Sequence, residues 1–83
     1  MTVQEIAAQE IAVQVDARGL SCPLPIVRTA MAVKALASGA LVEVFATDPG
    51  SQKDFVAWTR QTGHELVEQS TEGTVHRFII RRK

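Results

Sequence analysis

The stretch Ile11-Ala12-Val13-Gln14-Val15-Asp16-Ala17-Arg18-Gly19-Leu20-Ser21-Cys22-Pro23-Leu24-Pro25, continued by residues 26–39, sets the architecture of the chain. Residues 11–16 alternate with period two, which predicts a strand with Ile11, Val13 and Val15 on one face. From Pro25 to Ser38 the apolar residues Ile26, Val27, Ala30, Met31, Val33, Leu36 and Ala37 recur at helical spacing, with Arg28 and Lys34 outside that set and Gly39 as the stop. The prolines mark the junction. The first N–H groups of a helix have no internal partner, so proline is tolerated there and not deeper.

Outward from this unit the same reasoning continues. Leu41-Val42-Glu43-Val44-Phe45-Ala46 is β-branched and aromatic, hence a strand. Asp48-Pro49-Gly50-Ser51 reads as a second helix start, with Asp48 as N-cap and Pro49 at the first helical position. Phe55, Val56 and Trp58 belong to that helix, which Gly63 ends. Residues 64–70 and 74–81 read as two strands joined by a turn around Glu72-Gly73, the second carrying His76, Phe78 and Ile80 on one face and Arg77 and Arg81 on the other. The order βαβαββ predicts an α/β chain: a two-layer sandwich with a mixed four-stranded sheet and two helices on one face. A right-handed crossover makes the first two strands parallel and brings both helix N-termini to one edge of the sheet.

With 83 residues the chain is a single domain, expected over residues 11–83, and buries about 60% of its unfolded surface. Residues 1–10 are an alanine-rich, polar lead, read as an N-terminal extension that is a frayed helix or flexible. Nine basic and nine acidic residues cancel, so no global field draws nucleic acid or an anionic membrane. No secretory signal is visible and no apolar run approaches the ~20 residues of a membrane span. The expected location is the cytoplasm, where an unpaired cysteine stays reduced.

Cys22 is the single cysteine. It cannot form an internal disulfide or build a structural zinc site by itself, so its role is packing or the chemistry of one sulfur, and the flanking prolines argue for chemistry. Two helix starts are open: Cys22 as N-cap with Pro23 and Pro25 in the first turn, or a start at Pro25, because a residue before proline resists the helical region. Either presents the sulfur at a helix N-terminus, where the dipole and the remaining donors are expected to lower a thiol from its usual ~8.5 and favour the nucleophilic thiolate. Pro23, Pro25 and Asp48 support the two helix starts. Arg28 and Lys53 lie early in the helices and are the candidates for docking a partner. His64 and His76 are too isolated to suggest a ligand set, and neither is assigned to catalysis. Arg77, Arg81, Arg82 and Lys83 form a local basic patch, explained either by a solvated strand face with a charged tail or by an acidic or RNA partner.

Taken together, residues 16–25 (DARGLSCPLP), 46–51 (ATDPGS) and 62–66 (TGHEL) resemble the TusA (SirA-like) family of sulfur carriers, over a span from about Val13 to the C-terminus. The resemblance implies a sandwich like the C-terminal domain of translation initiation factor three, with Cys22 as the sulfur-bearing residue. It also implies a cysteine desulfurase or other persulfide donor and a cysteine-bearing acceptor protein, commonly in thiolation of tRNA wobble uridine. Sulfur oxidation and molybdenum-cofactor supply are further routes of the same kind. Persulfide exchange needs no metal or cofactor, and neither direct nucleic-acid contact nor a membrane is expected. Two other readings stay open: an RNA-binding or regulatory module resting on the basic patch, and a thiol redox sensor at Cys22.

Overall fold

A computed structural model describes residues 11–83; the expected N-terminal extension, residues 1–10, lies outside them. Strand β1 (Ile11–Ala17) leads into helix α1 (Leu24–Lys34), strand β2 (Leu41–Ala46), helix α2 (Ser51–Thr62), and the hairpin β3 (Glu65–Glu72) and β4 (Val75–Arg81). The strands lie in the order β1-β2-β4-β3. β1 and β2 are parallel, as the helical crossover requires, and β4 runs antiparallel to both β2 and β3. The α/β order, the mixed sheet and the single helical layer are as the sequence predicts.

Register explains the core. Val13, Val15 and Ala17 sit opposite Val42, Val44 and Ala46, and Val42 and Val44 sit opposite Ile80 and Phe78. This row meets Val33 of α1 and Phe55 of α2, with Ile26, Leu36 and Trp58 packed at its margin. Burying a side chain of the size of Phe55 or Phe78 contributes roughly 1.5–3 kcal/mol. Ile11 is not part of this core, contrary to expectation, because an extra residue in β1 shifts the pairing so that Ile11 faces Leu41 and Val13 faces Val42.

The buried side of α1 also differs from the predicted one. Pro25, Thr29 and Val33 are buried, whereas Val27 and Met31 face solvent. A threonine serves in the core because its hydroxyl donates back to the Pro25 carbonyl at 2.8 Å, which removes the cost of burying it. Helix α1 ends at Lys34, earlier than Gly39 suggested, since Leu36 N–H turns back to the Val33 carbonyl and the Arg82 guanidinium donates to the Leu36 carbonyl. Gly39 instead takes a positive φ of 87° in the turn before β2. Gly63 ends α2 in the left-handed conformation, as expected.

On the sheet face away from the helices, Glu43 is buried between Arg77, at 2.6 Å from its Oε2, and Gln14, at 2.7 Å from its Oε1. Both carboxylate oxygens therefore have donors, which makes the burial of this charge tolerable. His76 falls in the helix-facing row opposite Ala46, half-buried, with Nδ1 2.9 Å from the Thr71 hydroxyl.

Candidate functional site

The turn between β1 and α1 is built around Gly19, whose φ of 80° is open to glycine at no steric cost. Its N–H donates to the Thr47 hydroxyl at 2.9 Å, tying the exits of β1 and β2 together at one sheet edge. Pro23 is the cap of α1, Leu24 its first residue, and Pro25 is buried in its first turn. Both sequence-derived helix starts are thus corrected: Cys22 stands one residue before the cap, and the helix begins at Leu24. Leu24 enters the helix despite the following proline, with its N–H donated to the Ser21 carbonyl at 2.9 Å.

This arrangement removes the expected activation of the sulfur. Pro23 and Pro25 have no N–H, and those of Leu24 and Val27 are taken by the carbonyls of Ser21 and Pro23. Few donors of the first turn remain to stabilise an anion. The Cys22 side chain is exposed at a groove of about 230 Å³ between the helices, with Pro23 and Ile26 on one wall and Asp54, Ala57, Trp58 and Gln61 on the other. There the thiol is pushed up from its ordinary value. The Asp54 carboxylate on the facing wall of the groove is the largest cause, followed by desolvation and by the charges of Asp54 and Asp48. The direction is opposite to the expected lowering, because the carboxylates of Asp54 and Asp48 favour the protonated thiol.

Asp48 is not the N-cap of α2. Gly50 holds that position, and Asp48 closes the turn before it, accepting the Gly50 N–H on Oδ2 at 3.0 Å while its carbonyl accepts the Ser51 N–H. Pro49 accordingly lies outside the helix. Arg28 is exposed on α1. Lys53 is not brought to Cys22: it lines a separate groove with Val56, Arg60 and Gln69, on the β3 side of α2.

Sequence reasoning missed two features of this edge. One is Asp54, which reaches Cys22 only through tertiary packing. The other is apolar. Leu24, Val27 and Met31 are 47%, 44% and 65% exposed, and they follow one another at helical spacing from a point two residues beyond Cys22. The signal for them was a helix with more apolar residues than one core-facing stripe needs.

The basic patch, by contrast, is largely engaged within the fold. Arg77 pairs with Glu43, Arg81 with Glu65 at 3.4 Å, and Arg82 donates to the end of α1, while Lys83 is tied in by its backbone N–H, which donates to His64 Nδ1 at 2.9 Å. Among the described residues, no group of histidine, cysteine and carboxylate side chains is placed to hold a metal, and no helix is long and apolar enough to cross a membrane.

Comparison with known proteins places the whole chain, rather than any one residue, in a family. Residues 13–82 match the family model described as sulfurtransferase TusA. The chain belongs to the TusA family. It is similar to the sulfur carrier protein TusA of Allochromatium vinosum, 49% identical over 69 residues that span 83% of this chain and 91% of that one. It is equally similar to the putative sulfur carrier protein YrkI of Bacillus subtilis, 49% identical over 67 residues covering 81% and 89% of the two chains. The TusA fold is matched as well, by the crystal structure of a SirA-like protein from Desulfitobacterium hafniense. Its TM-score is 0.74 at 24% identity, over 83% of this chain and 95% of that one.

Proposed function

We propose that this protein is a sulfurtransferase of the carrier type, working in the cytoplasm, that accepts sulfur as a persulfide on Cys22 and delivers it to a cysteine of an acceptor protein. The donor is a cysteine desulfurase or another persulfide-bearing protein. The sulfur serves tRNA 2-thiouridine synthesis or another sulfur-transfer route of the same chemistry. The observation that carries this reading is an exposed single thiol at the head of an exposed apolar stripe, in a chain of the TusA family.

The chemistry follows from the sulfur alone. The Cys22 thiolate attacks the outer sulfur of the donor persulfide, and the donor cysteine leaves as a thiolate. Only one cysteine is present, so no internal thiol can attack the new persulfide and release its sulfur. The carrier therefore holds its load until an acceptor docks. Leu24, Val27 and Met31, with Arg28 beside them, are the docking surface, because a partner must cover this part of α1 to reach the sulfur.

Incubation with a cysteine desulfurase and free cysteine tests the assignment. Intact mass should rise by one sulfur atom, removable by a reductant, and Cys22→Ser should fold and take up none. No gain from a desulfurase, polysulfide or thiosulfate contradicts it.

A further inference from the structure

The outer flank of α2 carries a second groove, of about 370 Å³, which meets the sulfur groove at Ala57, a residue of both walls. Lys53 and Arg60 stand at its two ends, two helical turns and ~10 Å apart along the axis, with Val56 and Ala57 between them as an apolar floor. Gln69 of β3 closes the far side. The charge is opposite to that of the sulfur groove: two cations and no carboxylate here, the Asp54 carboxylate and no cation there.

Neither cation is neutralised by its own helix. The positions three and four residues from Lys53 and Arg60 are Pro49, Gly50, Val56, Ala57, Gly63 and His64, none of them acidic. Among the described residues neither takes part in an ion pair, whereas Arg18, Arg77 and Arg81 each do. The groove also borders an open strand edge. β3 is last in the sheet and, among the described residues, pairs only with β4, so its outer backbone groups are free to pair with another strand. Gln52 holds this edge against α2, its amide donating to the Thr71 hydroxyl at 3.1 Å.

Resting on the reading of Cys22 as a sulfur carrier, we propose that this groove is a docking site for an acidic, extended segment of a protein that exchanges sulfur with Cys22, laid along β3 with its carboxylates on Lys53 and Arg60. Register sets the pattern of the segment. Gln69 and Thr71 lie opposite Phe78 and His76, on the helix side of the sheet, whereas Glu68 and Glu72 lie opposite Ile79 and Val75, on the other side. An added strand therefore presents acidic side chains toward α2 and uncharged or basic ones toward the glutamates, alternating with period two. The apolar floor and the strand edge suit a peptide, while a phosphate backbone would use the two cations alone. The consequence is orientation. An acidic segment is drawn to this groove and repelled from the sulfur groove by Asp54, so the two sides of α2 select opposite charges on the partner.

Titration of the isotopically labelled full chain with a peptide of alternating glutamate and threonine, followed by amide NMR shifts, tests the site without any sulfur donor. Shifts should concentrate in residues 52–60 and 68–72, saturate in the millimolar range and fade as salt rises. The double variant Lys53→Glu, Arg60→Glu should weaken binding by about tenfold or more, with the spectrum elsewhere unchanged because both positions are exposed. Lys53→Gln with Arg60→Gln should act in the same direction by less. In sulfur exchange the charge-reversed variant should slow uptake from a protein persulfide more than uptake from polysulfide, by a ratio that shrinks as salt rises.

No shift in this groove, equal shifts from a peptide of alternating lysine and threonine, or stronger shifts at these residues from oligouridylate each overturn the proposal. Equal slowing of the two sulfur donors overturns it as well. Peptide binding requires no sulfur, so failure of the docking site is read separately from failure of Cys22 to load.

Discussion

Phe55 stacks on Phe78 with ring centroids 4.4 Å apart and planes 26° apart, and this contact fixes α2, with Asp54 next in sequence to Phe55, onto the sheet. Trp58 meets the edge of the same Phe55 ring at 6.2 Å and lines the groove at Cys22. One aromatic side chain thus links the core to both the charged and the apolar wall of the sulfur site.

Phe55→Ala should therefore act on stability and on the site together. Truncating a fully buried phenylalanine costs about 3–5 kcal/mol, a large share of what an 83-residue domain has. Urea unfolding should show the loss. Phe55→Leu should cost less and keep the site. Equal stability of the alanine variant and wild type would mean that α2 is not anchored through this ring.

The exposed stripe should behave in the opposite way. Val27→Ser and Met31→Ser should change stability by no more than about 0.5 kcal/mol, as expected for solvent-facing positions. Sulfur uptake from a cysteine desulfurase should slow while uptake from a small persulfide stays unchanged. Loss of both rates together would place these residues in support of Cys22 and not in docking.

Arg28→Glu is a test of charge at the same surface. Loading by a small persulfide should be nearly unchanged, because that donor needs only Cys22. Protein-to-protein transfer should be slow at low salt and approach wild type as salt rises above ~0.1 M, where the screening length is about 10 Å. Equal slowing with the small donor would make Arg28 part of the chemistry.

How much of this could be read beforehand depends on the range of the forces involved. The strand of residues 11–16, the stop at Gly63 and the crossover between β1 and β2 are local consequences of period, glycine and connection handedness, and they were legible. The burial of Thr29 was not, because its hydroxyl is satisfied by a carbonyl one turn back that a hydropathy pattern does not see. The same blindness left the exposed Val27 and Met31 in one apolar set with the buried Val33. At the sulfur, the two prolines correctly marked a helix start, but the sign of the thiol's shift depends on Asp54, thirty-two residues further along the chain, and no spacing rule connects them. Asp48 looked like a cap because aspartate is favoured there, and the structure uses the same acceptor two residues before the cap, on Gly50 N–H.

His64 gives a pH prediction. Burial is the main reason that its pKa lies below the ordinary 6.5, with the charges of Arg82 and Lys83 adding to it, and its Nδ1 must stay unprotonated to accept the Lys83 N–H. The unfolded chain therefore binds the proton more readily. The resulting contribution to stability is fully present above pH 6.5 and is lost as pH falls through the lower folded value. His64→Gln should flatten this part of the stability profile in urea unfolding. An unchanged slope between wild type and variant would assign the acid sensitivity elsewhere.

The central claim is that sulfur rides on Cys22, and the most direct measurement is intact mass of the wild type after incubation with a cysteine desulfurase and cysteine, followed by peptide mapping. The expected result is one added sulfur atom, located on the peptide containing Cys22, lost on reduction and passed to an acceptor protein's cysteine when that protein is added. A wild-type mass that stays unchanged with the desulfurase, with polysulfide and with thiosulfate contradicts the claim.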